Sequence, residues 1–433
     1  MKQVLQYHRS GTTRVVDVPA PTTPSGGVLV HNRFSLISPG TERTTVTSGG
    51  ANLVTTARKR PDLVKQVLDK AAHDGIGATV EAVRSRLDVA IPLGYSCAGT
   101  VLDVGPAASG AFSRGDRVAC AGAGQANHAE IVSVGRNLTV RVPDSVSLED
   151  AAFVTIGAIA LQGVRIADVR LGEACVVIGL GLVGQLAVQL LKAAGCRVFG
   201  IDVAADKVDL ARAQGADDAC LRSDPALVER VRAFTLGRGA DSILIAAASS
   251  SSDPVQLAPS LARDRAVVVA LGMIGMDVPR NAYYEKELQL RLSRSYGPGR
   301  YDRTYEEDGI DYPVGYVRWT EQRNMEAFLD LVAAGSVHPS GLVTHRIPVS
   351  EAERAYQVVK GEIAEPYLGI LLEYPAEALP VETRVEIHPP RPPSTGKVRL
   401  GVVGAGNFAR SVLLPALRKM DVELAGVATV SAP

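Results

Sequence analysis

The alternation of apolar and polar residues changes its rhythm along this chain, and the changes mark out its parts. Over residues 1–152, short β-type runs at 27–34, 99–105, 116–121 and 129–134 are broken by Gly and Pro. Short runs with turn residues at regular intervals predict a compact, antiparallel, barrel-like unit. The stretch 61–88 interrupts it. Leu63, Val64, Val67, Leu68 and Ala71 fall at helical spacing, Val80, Val83 and Leu87 follow, and Pro61 suits a first helical turn. Two inserted helices are expected there, parted near Gly75 and Gly77. From about residue 153, apolar runs at 174–178, 197–201, 242–246, 266–271 and 288–292 alternate with helical stretches such as 186–194 and 205–214. That alternation predicts a parallel sheet. Residues 297–374 add helices at 324–333 and 350–360 and a strand at 369–374.

Between 375 and 396 the periodicity stops and six prolines appear, the composition of a stiff linker. A strand at 398–403, a glycine-rich turn, a helix at 411–419 and a strand at 423–429 then form one β-α-β unit. One such unit cannot bury its own apolar face. The expectation for 397–433 is the start of a further, truncated domain.

Composition narrows the function only slightly. With 46 Lys+Arg against 46 Asp+Glu, the chain has no net charge to suggest a nucleic-acid partner. Hydrophobic content of 46% and charged content of 21% fit a soluble globular protein. No apolar run reaches the ~18 residues of a membrane helix, and the N-terminus lacks a signal peptide's apolar core. The five cysteines form no C-x-x-C pair, which fits free thiols in a reducing cytoplasm.

The strongest motif is Gly179-Leu180-Gly181-Leu182-Val183-Gly184, set between an apolar strand and a helix. In that context the G-x-G-x-x-G pattern is a dinucleotide fingerprint. Gly179 permits the tight turn, Gly181 lets a pyrophosphate approach the backbone, and Gly184 lets helix and strand pack closely. Leu182 and Val183 open the helix whose free N–H groups face the phosphates. Asp202 ends the next strand, 23 residues after Gly179. Its carboxylate accepts ribose hydroxyls and repels a 2′-phosphate, which favours NAD over NADP. Gly272, after the run 266–271, joins the cofactor set. A second fingerprint, Gly404 to Ala409, lacks the acid: Thr429 or Ser431 stands where it is expected.

With the fingerprint, Gly115-Asp116-Arg117-Val118, and the run 138–143 leading to Ala151-Ala152, residues 1–374 resemble the medium-chain dehydrogenase/reductase superfamily. Lys207 matches that family's ribose-contacting lysine. Residues 397–433 resemble the opening of a Gfo/Idh/MocA-type oxidoreductase domain, and the tandem resembles bidomain bacterial oxidoreductases. The segment Ser38-Pro39-Gly40-Thr41-Glu42 suits that subgroup. The resemblance implies an α/β fold: a GroES-like β-rich catalytic domain over 1–152 and a Rossmann NAD-binding domain over 153–296. A return to the catalytic domain over 297–374, the linker 375–396 and an incomplete second Rossmann unit over 397–433 complete the expectation. A homodimer or higher homo-oligomer is implied, with no nucleic-acid or membrane partner.

The departures from that family bear on the chemistry. Zinc members carry Cys in the early loop, where this chain has Ser38 or Pro39. They carry Gly-His-Glu where it has Gly94-Tyr95-Ser96. A catalytic zinc needs three protein ligands, so no zinc is expected, although Cys97, Cys120 and His128 offer a conceivable substitute set. Without a metal, another group must supply the proton or the electrophile. Tyr95 is the first candidate, with a cleft-wall tyrosine as the alternative. Thr41 and Glu42 stand near the position of a hydroxyl relay, or form a turn with Glu42 paired to an arginine. His128 is either a base or a core histidine. Seven of the twelve tyrosines lie between Tyr283 and Trp319, interleaved with arginines. They suit a sugar or anionic substrate or a subunit interface.

The functional expectation is a zinc-independent NAD(H) oxidoreductase that moves hydride between nicotinamide and an alcohol or carbonyl, with a sugar derivative as substrate by analogy. The alternatives are an enoyl- or quinone-type reductase, and a nucleotide-binding scaffold serving a downstream catalytic domain.

Overall fold

The computed structural model describes residues 1–7, 10–48, 90–377, 381–384, 398–406, 408–417 and 419–429. The expected helices at 61–88 and most of the expected linker lie outside the described residues.

The first part is built on a sheet in the order β15-β16-β3-β5-β6-β8, with β7 also paired to β3. These strands are β3 (Gly27–Ile37), β5 (Ser96–Val104), β6 (Arg117–Ala121), β7 (Ile131–Gly135), β8 (Thr139–Arg141), β15 (Val343–Pro348) and β16 (Gly369–Glu373). The last two come from the end of the chain. β16 pairs antiparallel with β3, Ile370 opposite Ile37 and Leu372 opposite Ser35. A smaller antiparallel sheet holds β2 (Thr12–Asp17), β1 (Lys2–Tyr7) and β4 (Ala90–Pro92) in that order.

The second part is a six-stranded sheet. Its strands are β9 (Ala174–Ile178), β10 (Arg197–Asp202), β11 (Asp218–Leu221), β12 (Ala240–Ile245), β13 (Ala262–Ala270) and β14 (Gln289–Leu292). They run parallel in the order β11-β10-β9-β12-β13-β14. Every residue of β9 is buried. A central parallel strand is covered on both faces, so it reads as a continuous apolar run rather than an alternation. Chain order reverses between β9 and β12, and in open α/β sheets ligands bind in the crevice outside the strand ends at that point.

The two parts share one apolar core. It runs from Val28 and Val30 of β3 and Val118 of β6, through helix Val154–Ala167, to Cys175 and Val177 of β9 and Leu186. Helix Val154–Ala167 exposes so little because helix Glu321–Ala333 crosses it at Gly157. A Cβ at Gly157 would stand 2.3 Å from the Phe328 ring. The missing side chain makes room for a fully buried phenylalanine, worth about 1.5–3 kcal/mol of burial.

The tyrosine- and arginine-rich segment forms a strap across this junction. Tyr305 and Tyr312 stack at 5.3 Å. Trp319 lies between Arg165 and Arg318, at 3.2 and 3.8 Å from its ring centroid. Asn137 Nδ2 donates to the Tyr305 carbonyl at 2.9 Å, and Gln322 Nε2 donates to those of Arg136 and Thr139 at 2.8 and 2.9 Å. These contacts are internal, so the aromatic and guanidinium groups named serve the fold first.

The C-terminal unit pairs β17 (Val398–Val403) in parallel with β18 (Val422–Ala428). The helix expected at 411–419 begins earlier, as a wide turn over Ala409–Leu413 followed by Leu414–Leu417. Val403, Phe408 and Met420 are exposed there, as expected of one unit without a partner layer.

Glu321, the first residue of helix Glu321–Ala333, is fully buried, and neither carboxyl oxygen makes a hydrogen bond of normal geometry among the described residues. Burial, then the nearby Glu306, pushes its pKa up to about 9. The folded protein keeps this proton while the unfolded chain loses it above the ordinary value of 4.5. Its contribution is therefore full below pH 4.5 and is lost as pH rises toward 9. Glu321→Gln removes that dependence. Melting temperatures across this range should show the variant gaining on the parent steadily as pH rises.

Candidate functional site

The crevice at the end of β9 is shaped by glycines. Gly179 has φ +92°, a left-handed conformation that strains other residues. A Cβ on Gly179 would come within 2.5 Å of Ala247 N, and one on Gly272 within 1.9 Å of the Ala247 carbonyl oxygen. A Cβ on Gly184 would meet the Gly179 carbonyl oxygen at 1.9 Å, while Gly181 faces open space. Helix Leu182–Ala193 starts after Gly181 and presents its free N–H groups at the crevice. Gly179, Gly181, Leu182, Val183, Gly184 and Gly272 are thus gathered at one place.

Asp202, at the end of β10, closes that turn. Its Oδ2 accepts the Leu180 N–H at 2.6 Å and its Oδ1 the Ala204 N–H at 2.9 Å. Each oxygen keeps a lone pair for a ribose hydroxyl. The Lys207 ammonium donates to the Tyr367 carbonyl at 3.0 Å, so it ties the returning segment to helix Ala205–Ala213. Gln185, unremarked in the sequence, is fully buried and donates from Nε2 to the carbonyls of Leu180 and Lys207 at 3.1 and 2.9 Å.

The second group of candidates forms a buried polar cluster. Ser38 to Glu42 are not an irregular turn. Helix Pro39–Ser48 begins at Pro39, with proline at the first helical position where it is favoured. The Glu42 side chain turns back on the helix start, and its Oε1 accepts the Ser38 N–H at 2.9 Å. Its Oε2 accepts a short hydrogen bond from the Tyr356 hydroxyl and lies 3.3 Å from His128 Nε2. The side-chain partners of Glu42 are thus a histidine and a tyrosine. The other imidazole nitrogen, Nδ1, lies 2.7 Å from Ser35 Oγ, which is 2.7 Å from the Tyr374 hydroxyl. Glu42 is 3% and His128 0% exposed. His128 is therefore neither a surface residue nor an apolar core histidine.

Tyr95 stands at the edge of this cluster, half-buried and immediately before β5. The side chains of Ser38 and Thr41 hydrogen-bond to its hydroxyl. Burial, then the Glu42 charge, pushes the phenol up to about 12 against the pull of Ser38 and Thr41. Thr155, at the start of helix Val154–Ala167, donates from Oγ1 to the Tyr95 carbonyl at 3.0 Å. The structure thus brings all four catalytic candidates, Tyr95, Thr41, Glu42 and His128, into one cluster. Ser35, Tyr356 and Tyr374 complete it and escaped the sequence reading. Tyr356 falls on the apolar face of its helix beside Ala352, Ala355 and Val359, where spacing alone reads as core. The available signal was that a buried tyrosine requires a partner for its hydroxyl.

Cys97 and Cys120 face each other across β5 and β6, both fully buried. His128 spends both ring nitrogens on Ser35 and Glu42. Among the described residues, no three His, Cys, Asp or Glu side chains are placed to hold a metal ion, and no helix is long and apolar enough to cross a membrane.

Residues 183–308 match the zinc-binding dehydrogenase family, so this stretch is a medium-chain dehydrogenase-type domain. The chain is 27% identical to D-guloside 3-dehydrogenase of Escherichia coli over 268 residues, 61% of this chain and 72% of that protein. Its fold resembles galactitol-1-phosphate dehydrogenase from Escherichia coli, with a TM-score of 0.65 and 19% identity over 86% of this chain and all of that one. It also resembles mycobacterial Rv1454c complexed with NADPH, with a TM-score of 0.62 and 21% identity over 86% of this chain and all of that one.

Gly184→Ala tests the crevice. The added methyl has no room against the Gly179 carbonyl, and overpacking of this kind costs about 1–3 kcal/mol. Thermal unfolding should report that loss, and titration of nicotinamide fluorescence should show at least about tenfold weaker dinucleotide binding, 1.4 kcal/mol being a factor of ten.

Proposed function

Starting from an enzyme of the medium-chain dehydrogenase/reductase type, we propose that this one reduces a keto group of a sugar, or oxidises the matching alcohol, with NAD(H) and without zinc. The observation that carries the reading is the hydrogen-bonded Tyr95–Ser38–Thr41 set backed by Glu42. Relatives and fold neighbours named for sugar and polyol substrates support the substrate class.

The donor set argues against a catalytic zinc. Two positions that carry ligands in zinc members hold Ser38 and Tyr95, whose side chains bond to each other. The nearby groups that make ordinary zinc ligands, Glu42 and His128, are committed to Ser38, Tyr356, Ser35 and one another. The residues present do not fit the metal.

They do fit a dinucleotide. The Gly179–Gly184 turn and the N-terminus of helix Leu182–Ala193 would hold its pyrophosphate, and Asp202 its adenosine ribose. Bound there, NAD(H) supplies or accepts hydride. An acidic ribose partner disfavours a 2′-phosphate, so NAD is preferred to NADP.

Tyr95 handles the proton. With its phenol raised to about 12 it is protonated at neutral pH and acts as a donor. As hydride reaches the carbonyl carbon, Tyr95 gives its proton to the carbonyl oxygen, an alcohol forms, and the phenolate regains a proton from solvent. In the reverse direction Tyr95 first loses its proton to solvent, and the phenolate then takes the alcohol proton as the carbonyl forms. Ser38 and Thr41 stabilise the phenolate during turnover, because both bond to its oxygen.

Tyr95→Phe is the direct test, with steady-state kinetics on a panel of keto-sugars and polyols. Loss of a general acid costs about 10²–10⁴ in rate, so kcat should fall by at least about a hundredfold while the NADH dissociation constant stays unchanged. Full activity in this variant would refute the assignment.

A further inference from the structure

The Glu42 carboxylate is served by a residue that arrives 314 positions later in the chain. Tyr356 lies on helix Ala352–Lys360, 1% exposed, among Ala355, Val358 and Val359. Phenylalanine would fill that space equally well, so the hydroxyl is surplus to packing. It reaches Glu42 Oε2, the same oxygen that faces His128. The Tyr356 ring also meets the His128 ring edge-on at 6.3 Å. Buried out of reach of any substrate, Tyr356 acts only through Glu42.

We propose that Tyr356 is a positioning residue, whose hydroxyl holds the Glu42 carboxylate so that Ser38 stays against the Tyr95 hydroxyl and part of the carboxylate charge is dispersed. This rests on the reading of Tyr95 as the proton donor. A buried carboxylate needs hydrogen-bond partners around it, and here they come from three places. Ser38 belongs to the start of the early helix, His128 to the segment before β7, and Tyr356 to the return helix. The site is therefore complete only when the end of the polypeptide has docked on its beginning. Tyr374, just past β16, is a second tether through Ser35 and His128.

The groups facing the Tyr95 hydroxyl are Ser38, Thr41 and Glu42 from the early helix and its cap, and Tyr356 from the return helix. His128, Tyr374, Cys97 and Glu130 stand behind them. Two substitutions pull on this arrangement in opposite directions. Tyr356→Phe removes a donor from Glu42, leaves its charge less dispersed, and makes Tyr95 harder to ionise. Glu42→Gln removes the charge and makes Tyr95 easier to ionise.

The experiment measures the pH profile of keto-sugar reduction and melting temperature in the full chain for Tyr356→Phe, Glu42→Gln and the double variant. In parallel, a fluorotyrosine placed at position 95 is titrated by fluorine NMR in each background. Its fluorine stabilises the phenolate, which brings the ionisation into an accessible range. Tyr356→Phe should lower kcat about tenfold, as expected for one lost charge-assisted hydrogen bond, with the KM for NADH unchanged. It should move the titration and the alkaline limb upward, and Glu42→Gln should move both downward. Adding Tyr356→Phe to Glu42→Gln should change nothing further. A titration unmoved by Tyr356→Phe, or moved equally with Glu42 absent, overturns the proposal, as does an effect confined to melting temperature. A shifted titration with an unshifted activity profile upholds the positioning role and instead refutes Tyr95 as proton donor.

Discussion

A carboxylate removed from water must find hydrogen-bond donors, and much of the first half of this structure is arranged around one that does. Glu42 is 3% exposed and collects the Ser38 N–H, the Tyr356 hydroxyl and a contact with His128. An isolated charge at that depth would cost several kcal/mol. The partners offset that cost only if the early helix, the segment before β7 and the return helix all sit in register. One side chain thereby fixes the relative positions of distant elements. It also fixes the electrostatic setting of Tyr95, the group at the edge of the cluster with access to the outside.

The same demand couples the two halves of the molecule. β16 comes from late in the chain and lies beside β3, with β15 on its outer side, and Tyr374 follows directly to meet Ser35 on β3. Helix Val154–Ala167 carries the core from the β-rich part into the parallel sheet, with Thr155 at its start holding the Tyr95 carbonyl. The strap rich in tyrosine and arginine closes over this junction. Its buried Glu321 keeps a proton rather than a charge, because burial disfavours the carboxylate and the nearby Glu306, which pairs with Arg300, adds to that. Two buried glutamates are thus handled differently: Glu42 by donors and Glu321 by neutralisation.

Much of the architecture was legible in the sequence, because its signals are local. The run at 174–178 coincides with β9, and Gly179 to Gly184 fall at its end, where left-handed backbone and close approach require glycine. Strand edges elsewhere moved by a few residues, as at 99–105, which became Ser96–Val104 once pairing with β3 and β6 was available. The site was legible only in part. Tyr95 and Ser38 stood out because they occupy positions where relatives carry metal ligands, Thr41 and Glu42 because they lie near the relatives' hydroxyl relay, and His128 as a base or a core histidine. Their assembly was not legible, since it depends on Tyr356 and Tyr374 brought in from the far end of the chain. The helix at Pro39–Ser48 was not foreseen, since Thr41 and Glu42 were read as a relay position or a turn, although proline is well suited to a helix start.

The central claim is that a hydrogen-bonded tyrosine does here what a metal does in zinc members of the family. The most direct measurement is metal content together with turnover, before and after treatment with a strong chelator, using NADH deuterated at the transferring position and a keto-sugar substrate. The account predicts no stoichiometric zinc, turnover unchanged by the chelator, and deuterium on the new carbinol carbon. One tightly held zinc per chain, with activity lost on its removal and restored on its return, would contradict it.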